Sequence, residues 1–150
     1  MIPIIFLLLL MLIQPAILLY NQIVMENAAA EGCRLLSTCT TMGGHTQEKY
    51  IGYVQRRLAS VPPLDIFHVS DGENAWMIEL IGDDSSAIVT VRITNRAQPL
   101  PLIGWGTRLL GLTDADGCLV QTVEISMPSQ PDWAFMYGGD PSRWPSQWED

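Results

Sequence analysis

The hydrophobic pattern of this chain begins with a stretch that has no polar face. From Met1 to Met25 there is no Lys, Arg, Asp or Glu. Ile4 to Ile13 is an unbroken apolar run, and beyond Gln14-Pro15 the apolar character resumes through Tyr20 and on to Ile23, Val24 and Met25. About 20 such residues cross a ~30 Å hydrocarbon core as a helix. A helix is the form required, because lipid offers no partners to backbone N–H and C=O groups. The pattern predicts a transmembrane helix over 1–25, kinked at Pro15, with Tyr20, Asn21 and Gln22 near the far interface. The period then becomes 3.6. Met25, Ala28, Ala29, Gly32, Leu35, Leu36 and Cys39 form one apolar stripe, so the same helix is expected to continue past the membrane.

Paired glycines in Thr40–His45 break the stripe. A second helix is predicted from Gln47 to Ala59, with Thr46 as its N-cap, Tyr50, Ile51, Val54 and Leu58 as its apolar positions, and Pro62-Pro63 as its stop. After the prolines the period drops to two. Leu64–Ser70, Ala75–Ile81, Ala87–Thr94 and Cys118–Met127 read as strands joined by Gly- and Asp-rich turns. Trp76, Ile78 and Leu80 share one face of the second, and Val89, Val91 and Ile93 one face of the third. Such alternation suits an antiparallel sheet with one face on a core. Residues 98–113 are apolar but rich in Gly and Pro, and are expected to form a loop with about one helical turn.

The pattern therefore predicts an α+β protein. A long N-terminal transmembrane helix runs on into the domain, and with a second helix it packs on an antiparallel sheet of about four strands. The segments are 1–25 as the transmembrane helix, 26–127 as the α+β domain, and 128–150 as an irregular tail holding Trp133, Trp144 and Trp148. Two other readings of the first segment stay open. Ala28-Ala29-Ala30 offers the small residues of a signal-peptide cleavage site, though no positive n-region precedes the apolar run. A buried core helix would need more chain to cover it than the rest of the sequence supplies.

Charge changes the picture in one respect. All 8 basic and 16 acidic residues lie after position 25, for a net charge of -8. That balance argues against nucleic acid and against anionic head groups. Arg34 is the first basic residue beyond the apolar segment, and local charge leaves its orientation almost even.

Candidate chemistry is sparse. His45 and His68 have no Asp, Glu or Cys at ligand spacing, and no phosphate loop is present. Asp83-Asp84 and Asp114-x-Asp116-Gly117 are acidic turns lacking the remaining oxygens of a calcium loop. No catalytic residue, cofactor or metal is expected. Cys33 and Cys39, six apart, face different sides of a helix. Either could pair with Cys118, or all three could be buried thiols acting as small hydrophobes. The small residues Ala28, Ala29 and Gly32 would let another backbone approach closely, either the domain's own core or a second copy of the helix. Gly costs a helix interior about 1 kcal/mol relative to Ala, so Gly32→Ala is expected to stabilise the helix slightly and Gly32→Leu to clash.

A charge-free N-terminal helix with an Ile2-Pro3 step, then Asn27, Ala28, Ala29, Glu31, Gly32 and Arg34 in the order N-A-A-x-E-G-x-R, resembles the TadE-like family. These are the pseudopilin-like proteins of tight-adherence (Flp) pilus assembly. The resemblance covers about residues 1–40. It implies a pilin-like fold, a cytoplasmic N-terminus and an extracytoplasmic domain, a setting that permits disulfides. It also implies membrane lipid, other pilus or pseudopilin subunits and assembly machinery as partners. Family members carry, before the Ile-Pro step, a leader with a Gly cleavage site followed by Glu. The present sequence opens at Met1-Ile2-Pro3, so either a leader precedes it or this copy is processed differently. The expectation from a different class is a membrane-anchored or secreted extracellular binding module that uses the Trp-rich tail.

Overall fold

A computed structural model describes residues 2–38, 47–69, 76–83, 86–100, 104–109, 111 and 113–130. The Gly-Gly turn, the Thr46 cap, Cys39 and the Trp-bearing part of the tail lie outside the described residues. Six elements follow in chain order. Helix α1 runs Ile2–Ser37 and α2 Gln47–Leu58; strand β1 is Met77–Ile81 and β2 Ile88–Ala97; α3 is Gly104–Leu109 and β3 Leu119–Pro128.

Helix α1 is continuous from the apolar segment into the domain, passing through Pro15. The sheet is antiparallel in the order β1-β2-β3. Ile78 lies opposite Ile93, and Val91 lies between Leu80 and Ile125. Alternate residues of β2 (Val89, Val91, Ile93, Asn95 and Ala97) are all buried, and those between them are half-exposed. Period-two patterning predicted Val89, Val91 and Ile93 on this face; the strand runs on past Thr94 to Ala97 and adds Asn95 and Ala97 to the row. On the outer face Arg92 lies between Glu79 of β1 (2.9 Å) and Glu124 of β3 (2.8 Å). Opposite charges on neighbouring strands hold the register, although exposed pairs contribute little stability.

Helix α1 packs across β2 and β3, with α2 alongside it. The core joins Met25, Ala28, Ala29, Cys33 and Leu36 of α1, Val54 and Leu58 of α2, Val89, Val91 and Ile93 of β2, and Val123 of β3. Trp76, Ile78 and Leu80 pack against it, on the face their alternation predicted.

The expected fourth strand is corrected. Residues 64–69 form a turn, and among the described residues the sheet has three strands. Pro62 and Pro63 have no N–H to offer a ladder. The Leu64 N–H turns back to the Pro62 carbonyl (2.8 Å), and the Phe67 and His68 N–H groups both donate to the Leu64 carbonyl (2.8 and 3.0 Å). The Val69 N–H donates to the Arg96 carbonyl of β2 at 2.6 Å, and Asn95 of β2 donates its side-chain amide to the Phe67 carbonyl at 2.9 Å. The turn thus covers the part of β2 that β1 is too short to pair. Alternation of apolar and polar residues over so few positions does not separate a strand from a turn with two inward side chains.

Candidate functional site

Helix α1 carries the features with functional potential, and its surroundings change along its length. Ile4, Ile5, Phe6, Leu7, Leu8, Leu9, Met11 and Leu12 are each about half or more exposed, on all sides of the helix. From Gln14 onward one stripe is buried. Gln14, Ile17, Asn21, Met25, Ala28, Ala29, Gly32, Cys33 and Leu36 recur at helical spacing. The outward face still shows Leu19 and Ile23. One window of α1 is long and apolar enough to cross a membrane.

The lower part of the buried stripe is polar. Gln14 is 2% exposed, and its Oε1 accepts the Leu100 N–H at 2.8 Å. Asn21 is fully buried and its Nδ2 donates to the Phe67 carbonyl at 2.6 Å. Asn95 donates to the same carbonyl at 2.9 Å. Gln121 donates to the Leu18 carbonyl at 2.9 Å, and the Tyr20 hydroxyl to the Ser60 carbonyl at 3.2 Å. Gln14, Leu18 and Asn21 fall on one face of the helix. The domain therefore reaches down α1 to Gln14, well below the boundary at 25/26 expected from charge. The second polar end of each amide (Gln14 Nε2, Asn21 Oδ1, Asn95 Oδ1 and Gln121 Oε1) is buried and, among the described residues, has no hydrogen-bond partner. Buried unpaired groups carry a desolvation cost, so this seam holds more weakly than the apolar core above it.

Gln14 and Asn21 were legible only as features of a membrane helix. Their spacing of seven was the available signal, since it puts two uncharged amides on one face of an otherwise apolar segment. Asn95 could have been found from its parity with Val89, Val91 and Ile93.

The three small residues lie inside the domain. Ala28 and Ala29 are in its core. A Cβ added to Gly32 would stand 2.6 Å from Val54 Cγ2 and 3.8 Å from the Val91 methyls. The close approach they permit is to α2 and to the chain's own sheet. Cys33 is a buried free thiol, and its Sγ lies 3.4 Å from the Val89 carbonyl and 3.5 Å from that of Ile125. It sits here among the core residues. Cys118 begins the approach to β3, and its N–H donates to Asp114 Oδ1 at 3.0 Å. Cys39 lies outside the described residues.

The acidic turn at 114–117 is held by the protein's own groups. Asp114 and Asp116 both pair with Arg96. Burial pushes the Asp114 carboxyl upward, but the N–H bonds from Cys118 and Asp116 and the Arg96 guanidinium outweigh it, and its pKa is lowered. His68 is buried and stacked on Trp76, with ring centroids 5.0 Å apart. Burial lowers its pKa, against the opposing pull of the Pro62 carbonyl and Asp65. Among the described residues its Nδ1 has no partner. Among the described residues no group of three or more His, Cys, Asp or Glu is placed to hold a metal.

Comparison with known families finds a match at the N-terminal end. The sequence model described as TadE-like protein matches residues 1–34. That range is the part of α1 up to Arg34, covering the exposed apolar segment, the polar seam and the small-residue stretch. No curated protein and no solved structure matches the chain.

Proposed function

We propose that this chain, matched over residues 1–34 by the TadE-like family, is a single-pass, pseudopilin-like protein. It serves tight-adherence (Flp) pilus assembly or a related secretion apparatus. Its N-terminus lies in the cytoplasm and its domain outside. The observation that carries this reading is the coincidence of the family match with α1, the element that is apolar and exposed at one end and built into a domain at the other.

Helix α1 holds the subunit in the bilayer, because its exposed residues gain from leaving water and carry no charge to desolvate. On assembly the same surface leaves lipid for neighbouring subunits. Since Ala28, Ala29 and Gly32 are occupied within the domain, contact between subunits runs over the outward ridge, including Leu8, Leu12, Leu19 and Ile23. Residues of that ridge exchange lipid for protein contact at little cost, as both surroundings are apolar. The sheet's outer face and the tail are left for assembly partners. The protein works without a cofactor, and its acidic domain has no affinity for nucleic acid.

The test is complementation of a deletion strain, with surface pili counted by electron microscopy. The intact chain should restore them. A chain whose residues 2–13 are replaced by a cleavable signal sequence should export the domain and leave the cells bald. Restoration of pili by that exported domain would overturn the proposal.

A further inference from the structure

The segment 61–67, which leads into the turn, and helix α1 flank an open, shallow groove of about 370 Å³ lined by Ile13, Ala16, Ile17, Tyr20, Pro62 and Phe67. Among the described residues no charged side chain lines it. Tyr20 and Phe67 meet edge to face across it, with centroids 6.1 Å apart. At its lower end the groove is continuous with the apolar surface of residues 4–12, where exposed side chains surround the helix. Above it, Leu64 at the tip of the turn is 54% exposed, and Leu19 and Ile23 are exposed on the outward face of α1. The first charges on α1 come only at Glu26 and Glu31.

We propose that this groove takes the acyl chain of a membrane phospholipid, and that the turn at 61–67 rests in the bilayer's interfacial layer. The inference rests on the membrane-anchored reading above and adds a lipid contact made by the folded domain itself. Three observations select lipid as the occupant. The groove adjoins the surface that faces hydrocarbon, it has no charge to desolvate, and it lies on the stretch of α1 already bonded to the domain at Gln14 and Asn21. An inserted α1 thus carries the turn down with it. Asp65, exposed on the same turn, sets the depth. It keeps the tip at head-group level, where water remains, while Pro62 and Phe67 face inward. Tyr20 sits where aromatic residues with one polar end are favoured.

The experiment uses the full chain reconstituted in vesicles of phosphatidylethanolamine and phosphatidylglycerol. A photoreactive benzoylphenylalanine is placed in turn at Ile4, Leu64 and Ile88, and the adducts are identified by mass spectrometry. Ile88 is an equally exposed apolar residue at the opposite end of β2. Phospholipid adducts are expected at Ile4 and Leu64, severalfold above Ile88. Ala16→Phe, which fills the floor of the groove from an exposed position, should lower the yield at Leu64 and leave Ile4 unchanged. Adducts at Ile4 without Leu64 would overturn the lipid contact and leave the anchor standing. An absence of adducts at Ile4 would overturn the anchor, and this inference with it. Equal yields at Leu64 and Ile88, an unchanged yield in Ala16→Phe, or a cross-link from Leu64 to a second copy would each reject the groove as a lipid site.

Discussion

Gly32 shows how a single residue sets the spacing of two helices. A glycine in mid-helix forgoes about 1 kcal/mol of propensity relative to Ala, and from the sequence Gly32→Ala looked stabilising. The structure reverses that sign. The added methyl would meet Val54 Cγ2 at 2.6 Å, and a β-branched side chain has little freedom to turn away. Overpacking of this kind typically costs about 1–3 kcal/mol. We predict that Gly32→Ala is net destabilising by up to about 2 kcal/mol in chemical denaturation of the detergent-solubilised chain. Val54→Ala in the same chain should recover part of the loss, and Gly32→Leu should be worse than either. A stabilised Gly32→Ala would show that α2 does not pack here.

His68 supplies a second test at the same scale. Its pKa is lowered by burial, so the folded protein resists the proton that the unfolded chain accepts near pH 6.5. Stability should be complete above that value and decline as pH falls through it towards the folded pKa. Denaturation midpoints at pH 7.5 and 5.5 measure this. His68→Gln should flatten the difference, whereas Asp114, whose pKa is lowered from 3.8, acts only in more acidic solution.

Between elements, the junction of α1 with the rest of the domain divides into two parts. Above Met25 it is apolar and close-packed. Below, it consists of amides bonded at one end and unpaired at the other. The lower part should open first, since local stability follows buried apolar contact. Asn21→Ala removes one of the two donors to the Phe67 carbonyl while Asn95 keeps the other, and should cost about 0.5–1.5 kcal/mol, the net value of one hydrogen bond. The backbone amide of Val69, bonded to Arg96, should exchange with solvent faster in that variant, while amides at the centre of β2 keep their protection. Uniform loss of protection through β2 would mean that turn and sheet open as one unit.

For the whole molecule, the apolar end of α1 and the domain are energetically separable. Residues 4–9, 11 and 12 are exposed and Leu10 is half-buried, so this end buries little against the domain. Leu8→Asp with Leu12→Asp should therefore release the protein from membranes, because a carboxylate at the bilayer centre is costly. The domain's unfolding transition should stay where it is. The intact chain should remain membrane-bound through high salt and carbonate, since apolar insertion does not depend on screened charge. External protease should reach the sheet in spheroplasts. Digestion only after lysis would reverse the proposed orientation.

What the sequence determined by itself was everything written as a period. A charge-free run announced the long helix, the 3.6-residue stripe carried it into the domain, and period-two patterning placed β1, β2 and β3, with the inward faces of β1 and β2. These signals are local: each residue's solvent preference is read against a fixed backbone repeat. Pairing and direction of approach were left to the tertiary structure. It turned 64–69 from a strand into a turn, because the edge of β2 beyond β1 needed a cover and the prolines could not ladder. It faced Ala28, Ala29 and Gly32 inward, because a small-residue stripe is equally suited to a domain core or a neighbouring helix, and only the position of α2 chooses between them. It gave Gln14 and Asn21 partners some 86 and 46 residues away. An amide in an apolar helix advertises its need for a hydrogen bond, but the group that meets that need is fixed only when the chain has folded.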